Sequence, residues 1–146
     1  MMSYLRRTLE IAESLFLHIE NETFIFPDVS NVFVTFTAGA VADTFGAWVE
    51  IQDNLAVTLS SVFAAQAGYL TELMLYQFSV ANEIWIIEIS YGAAYDVVAR
   101  QRVRSDWTYN LDLLSERIPA GEAVYYRAMS ETALATCRAN FRYVYV

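Results

Sequence analysis

The chain has no lysine: all nine of its basic residues are arginine. One histidine, one cysteine, two prolines and five isolated glycines complete the list of scarcities in its 146 residues. Each excludes something. A zinc site needs several His or Cys ligands, so one of each cannot build it in a single copy. The lone Cys137 has no partner for an intrachain disulfide, and it falls on the apolar face of the last segment, where a free cysteine acts as a small hydrophobe. Scattered glycines make no phosphate cradle. A Ser-His-Asp or Cys-His arrangement would have to use His18, which stands among Leu17, Ile19 and Glu20 with no nucleophile signature nearby. Nor does any apolar run approach the ~20 residues of a membrane-spanning helix. Glu10 and Glu13 interrupt the stretch after Arg6 and Arg7, which is unlike a secretory leader. The residues therefore point to no enzyme, no metal, no cofactor and no membrane, in a protein made in a reducing cytoplasm.

What is present is apolar. Hydrophobic residues make up 56% and aromatics 15%, while charged residues reach 18%, against roughly 25% in ordinary soluble domains. Such a chain buries too much surface to stay disordered. Interfaces enrich Arg, Tyr, Trp and Phe and deplete Lys, so the composition points to association with other chains. Arginine codon bias from a GC-rich source is the plainer explanation of the missing lysine. A net charge of −8 opposes non-specific contact with nucleic acid.

Residues 1–22 read as an N-terminal arm and 23–146 as one β-sandwich domain. In the arm, Leu5, Leu9, Ala12, Phe16 and Ile19 follow helical spacing, while Leu15, Leu17 and Ile19 also alternate like a strand. The expected helix runs from Tyr4 to Ser14. It either packs on a neighbouring subunit or caps its own sandwich. Beyond it, short alternating segments separated by turn residues predict an all-β, antiparallel sandwich or jelly roll of about eight strands. Phe24 to Phe26 stops at Pro27, Val32 to Thr37 alternates, and Trp48 to Gln52 is followed by an Asp53-Asn54 turn. Val57, Leu59, Ser61 and Phe63 are expected to line a strand. Tyr69–Val80 and Ile84–Tyr91 are expected to pair through the short connection Ala81-Asn82-Glu83. Both are apolar on both faces, which means either a buried central strand or an outer face covered by another chain.

Two features complete the pattern. Arg100, Arg102 and Arg104 share one face at period two, together with Val98. They are suited to an acidic patch on a neighbour or to plain solvation. Glu88, a charge in an apolar strand, calls for Arg100 or Arg102 across the sheet. The terminal stretch turns at Ile118-Pro119-Ala120-Gly121 and runs through Glu122 to Met129. It then reverses at Ser130-Glu131-Thr132 into a segment with Ala135, Cys137, Ala139, Phe141, Tyr143 and Tyr145 on one side. It reads as a hairpin closing the edge of the sandwich. Leu5, Leu9, Phe16, Trp85, Arg100, Arg102, Arg104, Tyr143 and Tyr145 are the interface candidates. Trp48, Trp107 and Tyr109 would form an aromatic groove in a glycan-binding module. A glycosidase would need two facing carboxylates from among Glu50, Asp53, Glu72, Glu83 and Glu88.

Three stretches carry a resemblance. They are Phe45-Gly46-Ala47-Trp48-Val49-Glu50-Ile51-Gln52-Asp53-Asn54 with Thr58 to Ala65, then Glu88-Ile89-Ser90-Tyr91-Gly92-Ala93-Ala94, and Arg117-Ile118-Pro119-Ala120-Gly121-Glu122 with Phe141 to Tyr145. Together they resemble small β-sandwich virion structural proteins of tailed bacteriophages. The resemblance spans about two thirds of the chain, from Phe45 onward, and rests on turns and strands, not on a catalytic motif. It implies a non-enzymatic virion component that decorates the capsid or joins collar and neck parts, and that self-associates, trimers being common in such proteins. Other virion proteins would be its further partners and the host bacterial cytoplasm its place of assembly. A receptor- or glycan-binding module of the tail or fibre apparatus is the alternative.

Overall fold

The computed structural model describes residues 6–12 and 23–146. Residues 6–12 are helical, and Arg7 reaches Glu116 at 3.6 Å. This part of the arm therefore lies on its own chain. Leu9 is 64% exposed and Ala12 is exposed too, so these two positions of the expected stripe are not packed; Glu10 and Ile11 are the more covered residues. Leu5, Phe16 and His18, the alternation from Leu15 to Ile19 and the outer turns of the expected helix lie outside the described residues.

Nine strands follow: β1 (Phe24–Phe26), β2 (Val34–Thr37), β3 (Val49–Glu50), β4 (Gly68–Tyr76), β5 (Ile84–Tyr91), β6 (Asp96–Arg104), β7 (Tyr109–Asp112), β8 (Val124–Ser130) and β9 (Thr136–Tyr145). They form two antiparallel sheets packed as a sandwich. One has the order β1-β9-β4-β7 with β2 also on β9, the other β3-β8-β5-β6. The all-β expectation holds, with one strand more than eight. Leu59–Phe63 is a 3-10 helix instead of a strand. It buries Leu59 and Phe63, while Val57 before it and Ser61 within it, which a strand would set on the same side, are exposed.

The terminal segment is the backbone of its sheet. Cys137, Ala139, Phe141 and Tyr143 are all buried facing the core, and Arg138, Asn140 and Arg142 stay half-exposed on the other side. β1 pairs with the end of β9, β2 with its start, and β4 along the opposite edge. β9 is thus an interior strand, not the closing edge. Nor does it form a hairpin with β8, which belongs to the other sheet. The β4–β5 connection crosses between the sheets in the same way. An arch and a hairpin can share the same loop length and the same alternation. What differs is that arched strands face each other across the core instead of exchanging backbone hydrogen bonds. The true hairpin is β5–β6. Its turn uses Gly92 and Tyr95 at positive φ (76° and 54°), closed by the Tyr95 N–H on the Gly92 carbonyl at 3.1 Å.

At one glycine the sheet admits no side chain. A Cβ on Gly68 would lie 2.3 Å from the Val144 carbonyl oxygen and 2.6 Å from the Phe63 ring. The start of β4 can thus lie against β9 and the 3-10 helix only without a Cβ.

Two tyrosines make the core sensitive to alkali. Tyr126 is 5% exposed, and its hydroxyl oxygen accepts the Thr37 N–H at 3.0 Å. Burial raises its pKa, with the Thr37 hydrogen bond opposing in part. Burial also raises that of Tyr143, followed by its contact with Tyr145. Both phenols therefore hold their protons in the fold after the unfolded chain has begun to lose them near 10.0. Their contribution to stability is complete below that pH and declines above it. The urea midpoint should be flat from neutral pH to about 8 and then fall, first because burial holds the Cys137 thiol protonated past its ordinary 9.0 and then, above about 9.5, with the two phenols. Tyrosinate absorbance from these two residues should appear only together with unfolding. Ionisation of every tyrosine in the native fold would refute this.

Candidate functional site

The outer face of the β3-β8-β5-β6 sheet combines most of the chain's unusual chemistry. Pairing sets its rows: Ile84 lies beside Arg104, Ile86 between Arg102 and Met129, Glu88 between Arg100 and Arg127, and Ser90 between Val97 and Tyr125. A bulge opposite Ile89/Ser90 shifts the register of β6. As a result Val97 joins the arginine row on the outer face, 41% exposed, whereas Val98 is buried. Strict alternation places them the other way round. The extra residue of a bulge reverses the side on which the following residues point.

Glu88 is the centre of the lower half. Its carboxylate is 7% exposed, and Oε1 accepts from both Nε and Nη2 of Arg127 at 2.7 Å. Arg100 approaches Oε2 at 3.7 Å. The expected Arg100 partner is there, but Arg127 is the closer one. The Arg127 guanidinium also lies 4.4 Å from the Phe45 ring centroid and 4.5 Å from that of Trp48, within cation–π range. Trp48 stacks on Tyr95 with centroids 5.5 Å apart and planes 8° apart, and Tyr95 meets Tyr125 edge-on at 5.0 Å. Beneath the tyrosines Ser90 is fully buried, its hydroxyl without a hydrogen-bond partner among the described residues. This group ties residues 45–48 and the β5–β6 turn to the sheet and covers a buried charge.

The upper half is built differently. Ile84, Ile86 and Met129 form a half-covered apolar patch. Arg102 and Arg104 border it on the β6 side, both exposed and neither in an ion pair among the described residues. Beyond β8, the Asp43 N–H donates to the Ser130 carbonyl at 2.8 Å, which sets Asp43 on the opposite border. Exposed Glu131 follows at the end of β8.

The other candidates disperse. Trp85 is fully buried on the inner face of β5, edge-on to Phe78 at 5.7 Å. It is core and does not belong to an interface. Tyr143 is likewise buried, stacked on Phe24 at 5.6 Å, while Tyr145 remains half-covered. Trp48 and Trp107 do not share a groove. Trp48 contacts Tyr95 before the start of β6, and Trp107 follows its end, so the nine residues of β6 hold them about 30 Å apart. Tyr109 packs on Phe78 and donates to Asp106 at 2.7 Å.

The five carboxylates weighed for a glycosidase each have another engagement. Glu50 accepts from Ser60 at 3.1 Å, and Asp53 caps its own turn through the Leu55 and Val57 N–H groups. Glu72 pairs with Arg142 at 3.1 Å, Glu83 accepts from Thr132, and Glu88 is held as above. Among the described residues no group of three or more His, Cys, Asp or Glu side chains could hold a metal ion. Sequence reasoning missed Arg127, Phe45, Tyr95 and Tyr125. Arg127 faces Glu88 only once β8 is paired with β5, and no local pattern announces that pairing. No protein-family model, curated protein or solved structure matches the chain.

Proposed function

We propose that this chain is a non-enzymatic, self-associating structural protein of a tailed-bacteriophage virion, decorating the capsid or joining collar and neck parts. The observation that carries self-association is the upper half of the outer face. There a half-covered apolar patch of Ile84, Ile86 and Met129 lies beside two exposed arginines that have no acidic partner among the described residues. An apolar centre with an arginine border is the usual composition of a protein–protein contact. The virion assignment rests on the resemblance of the turn and strand segments, and the sandwich fold is the one that resemblance implies. A receptor- or glycan-binding module would need aromatic faces open to a ligand. Here Trp48 lies against Arg127 and Tyr95, and Trp107, though 73% exposed, is about 30 Å from it along β6, so no two tryptophans line one groove, which favours the assembly reading.

Purified particles carrying the protein should test this directly, by quantitative mass spectrometry against the major capsid protein. A copy number that is a multiple of a capsid or portal symmetry is the expected result. Absence of the protein from intact particles would overturn the virion reading.

A further inference from the structure

The charge layout of this face also selects how two copies meet, an inference that rests on the self-association just proposed. We infer that two copies pack outer face to outer face as a two-fold dimer, with the axis running along the strands between β5 and β8. Such a rotation keeps each residue's height along the strands and exchanges left for right. β5 of one copy then lies over β8 of the other, so Ile84 and Ile86 meet Met129 of the second copy. The β6 border lies over the border formed by Asp43.

The heights match. Ser130 and Val103 both pair with Trp85, and Asp43 is bonded to Ser130. Asp43 therefore stands level with the interval between Arg102 and Arg104. Glu131 follows one residue later, at the level of Ile84 and Arg104. All four charged residues are exposed. Facing sheets pack about 10 Å apart, a gap that an arginine and a carboxylate side chain bridge together. Each copy thus presents two arginines to two acids of the other, and the contacts occur twice by symmetry.

The alternative two-fold, with its axis across the strands, would set β6 over β6 and arginine against arginine. Like charges across a contact reject that arrangement. The arginine row is therefore a selector of the axis as well as an attractive group.

A charge exchange tests the pairing. One variant carries Arg102→Glu and Arg104→Glu. The other carries Glu131→Arg and Asp43→Asn, asparagine being suited to the positive φ of 57° at that position. All the changed side chains are exposed, and circular dichroism checks that both variants fold. The wild type should run at twice its 16.6 kDa chain mass in light scattering, with weaker assembly at high salt. Each variant alone should be monomeric, and an equimolar mixture should give a dimer with one copy of each in native mass spectrometry. A monomeric wild type would overturn self-association itself. A wild type that assembles while both variants keep its mass, or a mixture that stays monomeric, would overturn this pairing and leave self-association standing.

Discussion

Replacing Arg127 with methionine should cost about 3 kcal/mol of folding stability, read as a lowered urea midpoint at unchanged slope. The substitution keeps a long apolar stem against Phe45 and Trp48 but strands the Glu88 carboxylate, which is 7% exposed. Arg100 cannot replace the lost partner. It approaches at 3.7 Å with a side chain 59% exposed, and such a solvated pair is worth at most about 1 kcal/mol. The penalty thus comes from leaving a buried charge uncompensated more than from losing an attraction. A second substitution separates the two. Removing both partners, as Arg127→Met with Glu88→Leu, takes away the charge that needed one, and apolar replacement of a buried pair is often nearly neutral. The double variant should therefore return to within about 1 kcal/mol of the wild type. If it stays as unstable as the single variant, Arg127 acts by stacking on the aromatic rings. Arg127→Lys should fall between, because an ammonium keeps the charge but loses the planar contacts to two rings and the double donation to Oε1.

That ion pair also marks where reading the chain one residue after another stops. Strand existence was legible, because a period of two in β2, β6 and β9 comes from each strand having one face in the core. Sheet membership was not. The short connections after β4 and after β8 look like hairpin turns, yet each carries the chain across the sandwich, since loop length does not say whether the next strand bonds beside the last or stacks over it. The arginine row was legible for the same reason as the strands, and Val98 was misplaced with it because a bulge leaves no mark in the pattern. Glu88 announced that it needed a cation, and Arg100, twelve residues later on the next strand, was within reach of that argument. Arg127 was not, since only the pairing of β8 with β5 brings it there. The two-sided apolarity of β5 pointed to a central position or to coverage by another chain. Both features now have a place: β5 lies between β8 and β6, its inner residues are in the core, and Ile84 and Ile86 remain in the open patch.

Trp85 belongs to that inner set, and its substitution should have the largest effect of any single change in the sheet. It is fully buried, level with Val103 and Ser130, and edge-on to Phe78 with planes at 66°. Trp85→Ala removes an entire indole from a core that cannot collapse around it, because β8 and β6 hold β5 on both edges. Large-to-small changes of this kind cost about 3–5 kcal/mol, which for a chain of this size lowers the melting temperature by roughly 10 °C. Trp85→Phe should be much milder. The indole N–H has no hydrogen-bond partner among the described residues, so losing it removes a buried unsatisfied donor that itself costs about 1–3 kcal/mol. That gain offsets much of the lost packing, and the net change should be about 1 kcal/mol or less. The pair of variants also decides between core and contact surface. If Trp85 is core, alanine lowers the urea midpoint and the protein that remains folded keeps its assembled mass. A variant with normal stability that no longer assembles would return Trp85 to the interface and contradict the inner-face packing of β5.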